Sequence, residues 1–228
     1  MADDAILVNE IFYSIQGEST WSGLPCSFIR LRGCPLRCHY CDTSYAFAEG
    51  DAMLVETIVD KVVNMPTRLV EITGGEPLLQ PNVHKLITQL LDQGFEVLLE
   101  TSGERDISSC DARVYRIIDI KTPDSGAGSS FMHGNFGQLS MLDEVKFVIM
   151  TREDFDWALQ LVESEELLRK VKAVHFSPVM EQESTECIKG SQALPPEELS
   201  KWILDCGLPI RMHLQVHKYI WSPDAKGV

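Results

Sequence analysis

The sequence has no apolar run approaching the roughly 20 residues that cross a bilayer, so no membrane span is expected. It also lacks a basic excess: 20 Lys and Arg stand against 34 Asp and Glu, a formal charge of −14. A nucleic-acid scaffold needs a basic face to displace counterions, so nucleic acid is not an expected partner. No basic segment leads into an apolar stretch after Met1-Ala2-Asp3-Asp4, so no secretory leader is expected. Disulfide staples are unneeded in a chain of 228 residues, and seven cysteines is an odd number. The expectation is a cytoplasmic protein with one domain over residues 1–228.

What is present is an alternation of apolar, β-branched runs with helix-period segments, the pattern of a parallel sheet with crossover helices. Strands are predicted at Ser27–Leu31, Leu69–Thr73, Glu96–Thr101, Tyr115–Ile120, Glu144–Met150, Ala173–Ser177 and Ile210–Val216. Leu7–Ile15 reads as an extra strand or hairpin arm. Leu54–Val63, Val83–Leu91 and Phe155–Val162 carry helical stripes, and Pro195-Pro196-Glu197-Glu198 opens a further helix. Asp124–Gln138 and Glu181–Ala193 read as loops, the first exposed. The fold class is α/β, an incomplete β/α barrel of about six units, shorter than the usual eight.

Ligands gather at the carboxyl ends of parallel strands, and there the unusual residues fall. Cys34, Cys38 and Cys41, spaced C-x3-C-x2-C, follow the first predicted strand. Three thiolates on one loop can hold three corners of a cubic iron–sulfur cluster and leave the fourth iron open. Structural zinc, which asks for four protein ligands, and plain buried thiols are the alternatives. His39 is a poor fourth ligand because its backbone belongs to the loop between Cys38 and Cys41. Cys26, Cys110, Cys187 and Cys206 show no ligand spacing and read as buried small hydrophobes. Thr73-Gly74-Gly75-Glu76-Pro77 follows the next strand, where paired glycines permit close backbone approach or positive φ. Glu100-Thr101-Ser102-Gly103, Asp119-Ile120-Lys121, His175–Pro178 and His213–Lys218 end later ones, so polar residues converge on one rim.

The cysteine spacing followed by Gly74-Gly75-Glu76-Pro77 resembles the radical S-adenosylmethionine (SAM) enzymes. That resemblance implies a truncated barrel core and a 4Fe–4S cluster on Cys34, Cys38 and Cys41. It also implies SAM chelated to the open iron and split to a hydrogen-abstracting radical. Residues along SAM would be Tyr40, Cys41, Asp42, Gly74, Gly75, Glu76, Glu100, Asp119, Ile120, Lys121 and Ser177.

Glu10–Glu18, Phe28–Cys34, Cys41-Asp42-Thr43, Glu100–Gly103 and Gln215–Lys218 are together similar to a narrower branch of that family. This branch contracts 6-carboxy-5,6,7,8-tetrahydropterin to 7-carboxy-7-deazaguanine, losing ammonia, on the way to queuosine. The similarity implies substrate contacts at Ile15, Gln16, Gly17, Glu18, Arg30, Thr73 and His217, and Mg²⁺ held by Thr43. It further implies a lyase, an electron donor such as flavodoxin, and a homodimer for which the Leu7–Ile15 edge is a candidate surface. Ser19 stands where a second glycine is common, so a different turn is expected. Asp119-Ile120-Lys121 replaces the Ser-Pro-Lys of some members, and the tail Trp221–Val228 either covers the site or hangs free. A glycyl-radical activase, which shares the cysteine and Gly-Gly-Glu-Pro motifs, is the alternative enzyme, and a non-catalytic iron–sulfur electron carrier the alternative class.

Overall fold

The computed structural model describes residues 4–222 and 225–228. Met1-Ala2-Asp3, from the acidic start, and Pro223 and Asp224, from the tail, lie outside the described residues. One nine-stranded sheet runs in the order β3-β1-β2-β4-β5-β6-β7-β8-β9. The strands are β1 (Ala5–Ile15), β2 (Pro25–Leu31), β3 (Asp51–Leu54), β4 (Leu69–Gly74), β5 (Glu96–Thr101), β6 (Tyr115–Asp119), β7 (Glu144–Ile149), β8 (Ala173–Pro178) and β9 (Arg211–Met212). From β2 to β9 every pairing is parallel, and the sheet is open, ending at β3 and β9.

The helices are α1 (Val55–Val63), α2 (Val83–Asp92), α3 (Arg152–Ser164), α4 (Leu167–Lys170), α5 (Pro196–Cys206) and α6 (His217–Ile220). In α2, Val83, Leu86, Ile87 and Leu90 are buried, the spacing that puts one helical face on the sheet. Each such side chain contributes about 1.5–3 kcal/mol of burial. Beneath them Val70 and Ile72 of β4, and Val97 and Leu99 of β5, fill the main core.

The other face of the same strands is divided along its length. At their amino ends Cys26, Phe28, Leu69, Leu98 and Ile117 form a second apolar cluster. Two residues further on, the same parity brings Glu71, Glu100 and Asp119, followed by Thr73, Ser102 and Lys121. Strand periodicity therefore builds an apolar plug and then a polar floor.

Several sequence expectations are corrected. The crossovers 102–114 and 120–143 carry no α-helix. The Asp124–Gln138 loop is partly packed, with Ser125, Asn135 and Phe136 buried in short 3-10 turns. Ile210–Val216 supplies only the two residues of β9. The Leu7–Ile15 edge is shared with β3, which pairs with Ala5–Val8 and leaves only the outer side of Asn9–Ile15 without a strand. Cys187 is exposed rather than buried.

Ser19 adopts φ of 63°, a left-handed conformation that glycine takes more readily. Its hydroxyl partly compensates by accepting from the Trp21 amide at 3.2 Å. Ser19→Gly is expected to stabilise the fold by about 1 kcal/mol, read as a raised urea midpoint. A lowered midpoint would mean the hydroxyl bond outweighs the backbone strain.

Candidate active site

The cysteine loop leaves β2 and folds back onto the turn after β4. The Gly75 amide donates to the Leu31 carbonyl at 3.1 Å, and the Glu76 amide donates to the Gly33 carbonyl at 2.8 Å. A Cβ at Gly75 would collide with that Gly33 carbonyl, and Gly74 sits at φ of 128° against the Leu31 backbone. The glycine pair is therefore the condition for seating the loop.

Glu76 is fully buried and accepts four hydrogen bonds: from the Leu78 amide, the Thr101 hydroxyl, the Ser102 amide and the Ser102 hydroxyl. It clamps the β4 turn to the end of β5. On the other side, the His39 amide donates to the Ser125 carbonyl at 2.8 Å and its Nδ1 lies 3.0 Å from the Asp124 carbonyl. The Gly190 amide donates to the His39 carbonyl at 2.9 Å. The two loops that interrupt the β/α rhythm thus buttress the cysteines.

Beneath the loop lies a cavity of about 440 Å³. All three loop cysteines line it, together with Ile15, Gln16, Gly17, Glu18, Arg30, Tyr40, Asp42, Thr43, Thr73, Gly74, Gly75, Glu100, Asp119, Lys121 and His217. Three residues singled out from the sequence stand outside the lining. Glu76 is committed to its clamp, Ile120 is packed in the main core on the opposite parity, and Ser177 is buried in β8. Ala225–Val228 line the mouth, with Lys226 4.1 Å from the centre of the Tyr45 ring, so this part of the tail covers the site.

The thiols of Cys34, Cys38 and Cys41 are free. Burial pushes all three above the ordinary thiol range, Cys41 to about 12, so without a metal they are protonated at neutral pH. Among the described residues, no three His, Cys, Asp or Glu converge tightly enough for one metal ion. A cubane binds each thiolate to a different iron, so its ligands stand further apart than those of a single tetrahedral zinc. The donor set fits the cluster.

The cavity floor is a charge network. Lys146 Nζ lies 2.6 Å from Glu18, 2.6 Å from Glu100 and 3.1 Å from Asp119. Lys121 pairs with Asp119 at 2.9 Å and lies over the Tyr40 ring. Burial would lower the Lys146 pKa, yet Asp119, Glu100 and Glu18 together hold it well above the usual lysine range. Burial, reinforced by Glu100 and Glu18, pushes Glu71 well above the usual carboxylate range. Gln16 Nε2 donates to Glu71, and Gln16 Oε1 accepts from the Glu18 amide at 3.0 Å.

Towards the mouth, Arg30 Nε donates to Glu10 at 2.7 Å. Among the described residues its two terminal nitrogens have no hydrogen-bond acceptor, so half the guanidinium fork remains available. Asp42 pairs with Lys218 at 2.7 Å and accepts from the Thr43 hydroxyl at 2.9 Å. Although burial alone would raise it, the Lys218 ammonium holds the Asp42 carboxyl well below the ordinary carboxylate range. The His217 ring packs on the backbone of Gly17, where a Cβ would collide with it, and the Val216 amide donates to the Gly17 carbonyl at 3.1 Å. Residues from opposite ends of the chain thus meet in one wall.

Lys146 and Glu71 line the cavity without having been singled out from the sequence. For both a signal existed: each is a charged residue at alternate parity within an apolar strand.

Residues 28–186 match the Radical SAM superfamily. The chain is 42% identical over 224 residues to the 7-carboxy-7-deazaguanine synthase of Koribacter versatilis, covering 97% of this chain and 99% of that protein. It is 43% identical over 225 residues to the enzyme of the same name from Chlorobaculum tepidum, covering 97% and 96%. Among solved structures, QueE from Escherichia coli superposes with a TM-score of 0.73 at 22% identity, covering 93% of this chain and 95% of that one. SuiB from Streptococcus suis bound to S-adenosylmethionine gives 0.59 at 13% identity over 80% and 48%, a likeness of fold alone. The chain belongs to the radical SAM superfamily and, within it, to the family of the 7-carboxy-7-deazaguanine synthases.

Proposed function

We infer that this chain is a 7-carboxy-7-deazaguanine synthase, a lyase that contracts 6-carboxy-5,6,7,8-tetrahydropterin with loss of ammonia. The observation carrying this reading is near-full-length identity to relatives of that name, joined to one cavity that holds the cysteine loop beside Gln16, Arg30, Thr73 and His217. Family membership brings a 4Fe–4S cluster and SAM. When bound, they supply hydrogen-atom abstraction from the pterin.

The chain's own residues bind and orient. The free half of the Arg30 fork suits the pterin carboxylate. The run Ile15–Glu18, with Gln16 and Gly17 buried, and Thr73 and His217 would border the ring. Tyr40, Asp119 and Lys121 would flank SAM. Thr43 offers its hydroxyl to Mg²⁺, which keeps water and substrate oxygens as its other ligands. Its present bond to Asp42 would have to be shared or released. No helix among the described residues is long and apolar enough to cross a membrane. We place the protein in the cytoplasm as a homodimer, reduced by a donor such as flavodoxin, without nucleic-acid or membrane partners.

Anaerobic reconstitution with iron and sulfide, then dithionite, SAM and the carboxypterin, tests the reading. Formation of 7-carboxy-7-deazaguanine with little net SAM consumption is expected; SAM cleavage with untouched pterin would remove the substrate assignment. Cys38→Ala is expected to lose the cluster's iron and absorbance together with turnover, and full 4Fe–4S content in that variant would overturn the ligand assignment. Arg30→Ala is expected to weaken pterin use about tenfold or more while uncoupled SAM cleavage persists. Equal loss of both would make Arg30 structural. For Thr43→Ala, a blunted response of turnover to added Mg²⁺ is expected, and an unchanged one would take Thr43 out of the metal site.

A further inference from the structure

Lys146 is the point at which three carboxylates from three different elements meet: Glu18 after β1, Glu100 at the end of β5 and Asp119 at the end of β6. We propose that Lys146 is a positioning residue for the pterin, fixing Glu18, and through it Gln16, at the substrate end of the cavity. This rests on the substrate reading above and adds a residue to it.

The connections from Lys146 are unequal. Asp119 has a second cation in Lys121 at 2.9 Å, so it keeps an ion pair when Lys146 is lost. Among the described residues Glu18 is paired with no other lysine or arginine; its second side-chain tie is the Gln215 amide at 2.7 Å. Glu18 in turn donates its backbone amide to Gln16 Oε1, and Gln16 reaches Glu71. Removing the ammonium leaves Glu18 facing Glu100 without the charge that holds both, and the strained Ser19 turn follows immediately. The Gln16–Glu18 backbone keeps its bonds to Leu24, Gly23 and Val216, so what loses its anchor is the Glu18 side chain, while Asp119 on the SAM side retains Lys121. Glu100 also loses its lysine, but its remaining tie is to the Thr73 hydroxyl on the substrate side, so the larger effect of Lys146 falls on the pterin.

The test uses cluster-loaded protein under anaerobic conditions, with titration calorimetry of SAM alone and of 6-carboxy-5,6,7,8-tetrahydropterin in the presence of SAM. Lys146→Met is expected to weaken pterin binding about tenfold or more and SAM binding less than about threefold. Burying three carboxylates around a methionine endangers folding, so Lys146→Met/Glu100→Gln, which preserves the network's net charge, is measured beside it. The same pterin-selective loss is expected. In a Glu18→Gln background, adding Lys146→Met should change pterin affinity by less than about threefold, since the two substitutions act on one interaction. Equal weakening of pterin and SAM, unchanged pterin affinity in Lys146→Met/Glu100→Gln, or a full loss persisting in the Glu18→Gln background would each overturn the proposal. If the unsubstituted protein neither binds nor converts the pterin, the substrate reading itself fails, and the proposal falls with it. Pterin turnover by the parent with no selective loss in the variants removes the proposal alone.

Discussion

The contact on which the site depends is between two pieces of backbone. The Gly33 carbonyl, immediately before Cys34, lies where a side chain on Gly75 would be, and it accepts the Glu76 amide. Glu76 then spends its carboxylate on the β4 turn and the end of β5. Three consecutive loops over the parallel strands are thereby fixed to one another before any cofactor is considered. Cluster ligands held this way lose little freedom on binding iron, which is the advantage of a preorganised shell. His39 performs the matching task at the far end of the loop, where its ring and backbone engage 124–126 and Gly190.

The second constraint is electrostatic. Glu18, Glu100 and Asp119 face Lys121 and Lys146 in a cavity largely removed from water, with Glu71 close by. Burial and the neighbouring Glu100 and Glu18 carboxylates push Glu71 upward there. Its carboxyl accepts from Gln16 Nε2 there. The polar floor exists because the strands switch from apolar to charged side chains at one parity while the opposite parity remains in the core. Core and site are thus written into the same strands, two residues apart.

This explains what the sequence disclosed and what it hid. Parallel strands buried on both faces read as near-continuous apolar runs, so β2 and β4 to β8 were legible within a residue or two, as were α1 and α2. The cysteine spacing was legible because few other structures need it. The β1–β3 pairing was not, because Asp51–Leu54 has no strand-like pattern of its own and takes its conformation from Ala5–Val8, distant in sequence. Asp124–Gln138 has the Gly and Ser content of an exposed loop, but its burial comes from tertiary packing, Ser125 against the cysteine loop and Asn135 against Gly103, Arg105 and Ile107. Lys146 was passed over because its partners Glu18, Glu100 and Asp119 lie on three other elements, and only the folded sheet brings them together.

Asp119-Ile120-Lys121, which departs from the Ser-Pro-Lys of some radical SAM enzymes of this kind, makes sense within that network. Ile120 points into the main core and donates its amide to the Lys146 carbonyl, tying β6 to the strand that carries Lys146. Asp119 and Lys121 flank it on the opposite face and pair with each other. A charged residue at 119 is tolerable there because Lys121 and Lys146 both reach it, and Lys146 is in turn balanced by Glu18 and Glu100. A neutral residue at 119 would leave Lys121 without its carboxylate partner and weaken the anchoring of both lysines. Residues 18, 100, 119, 121 and 146 therefore constrain one another as a set, and a change at any one shifts the charge balance felt by the rest.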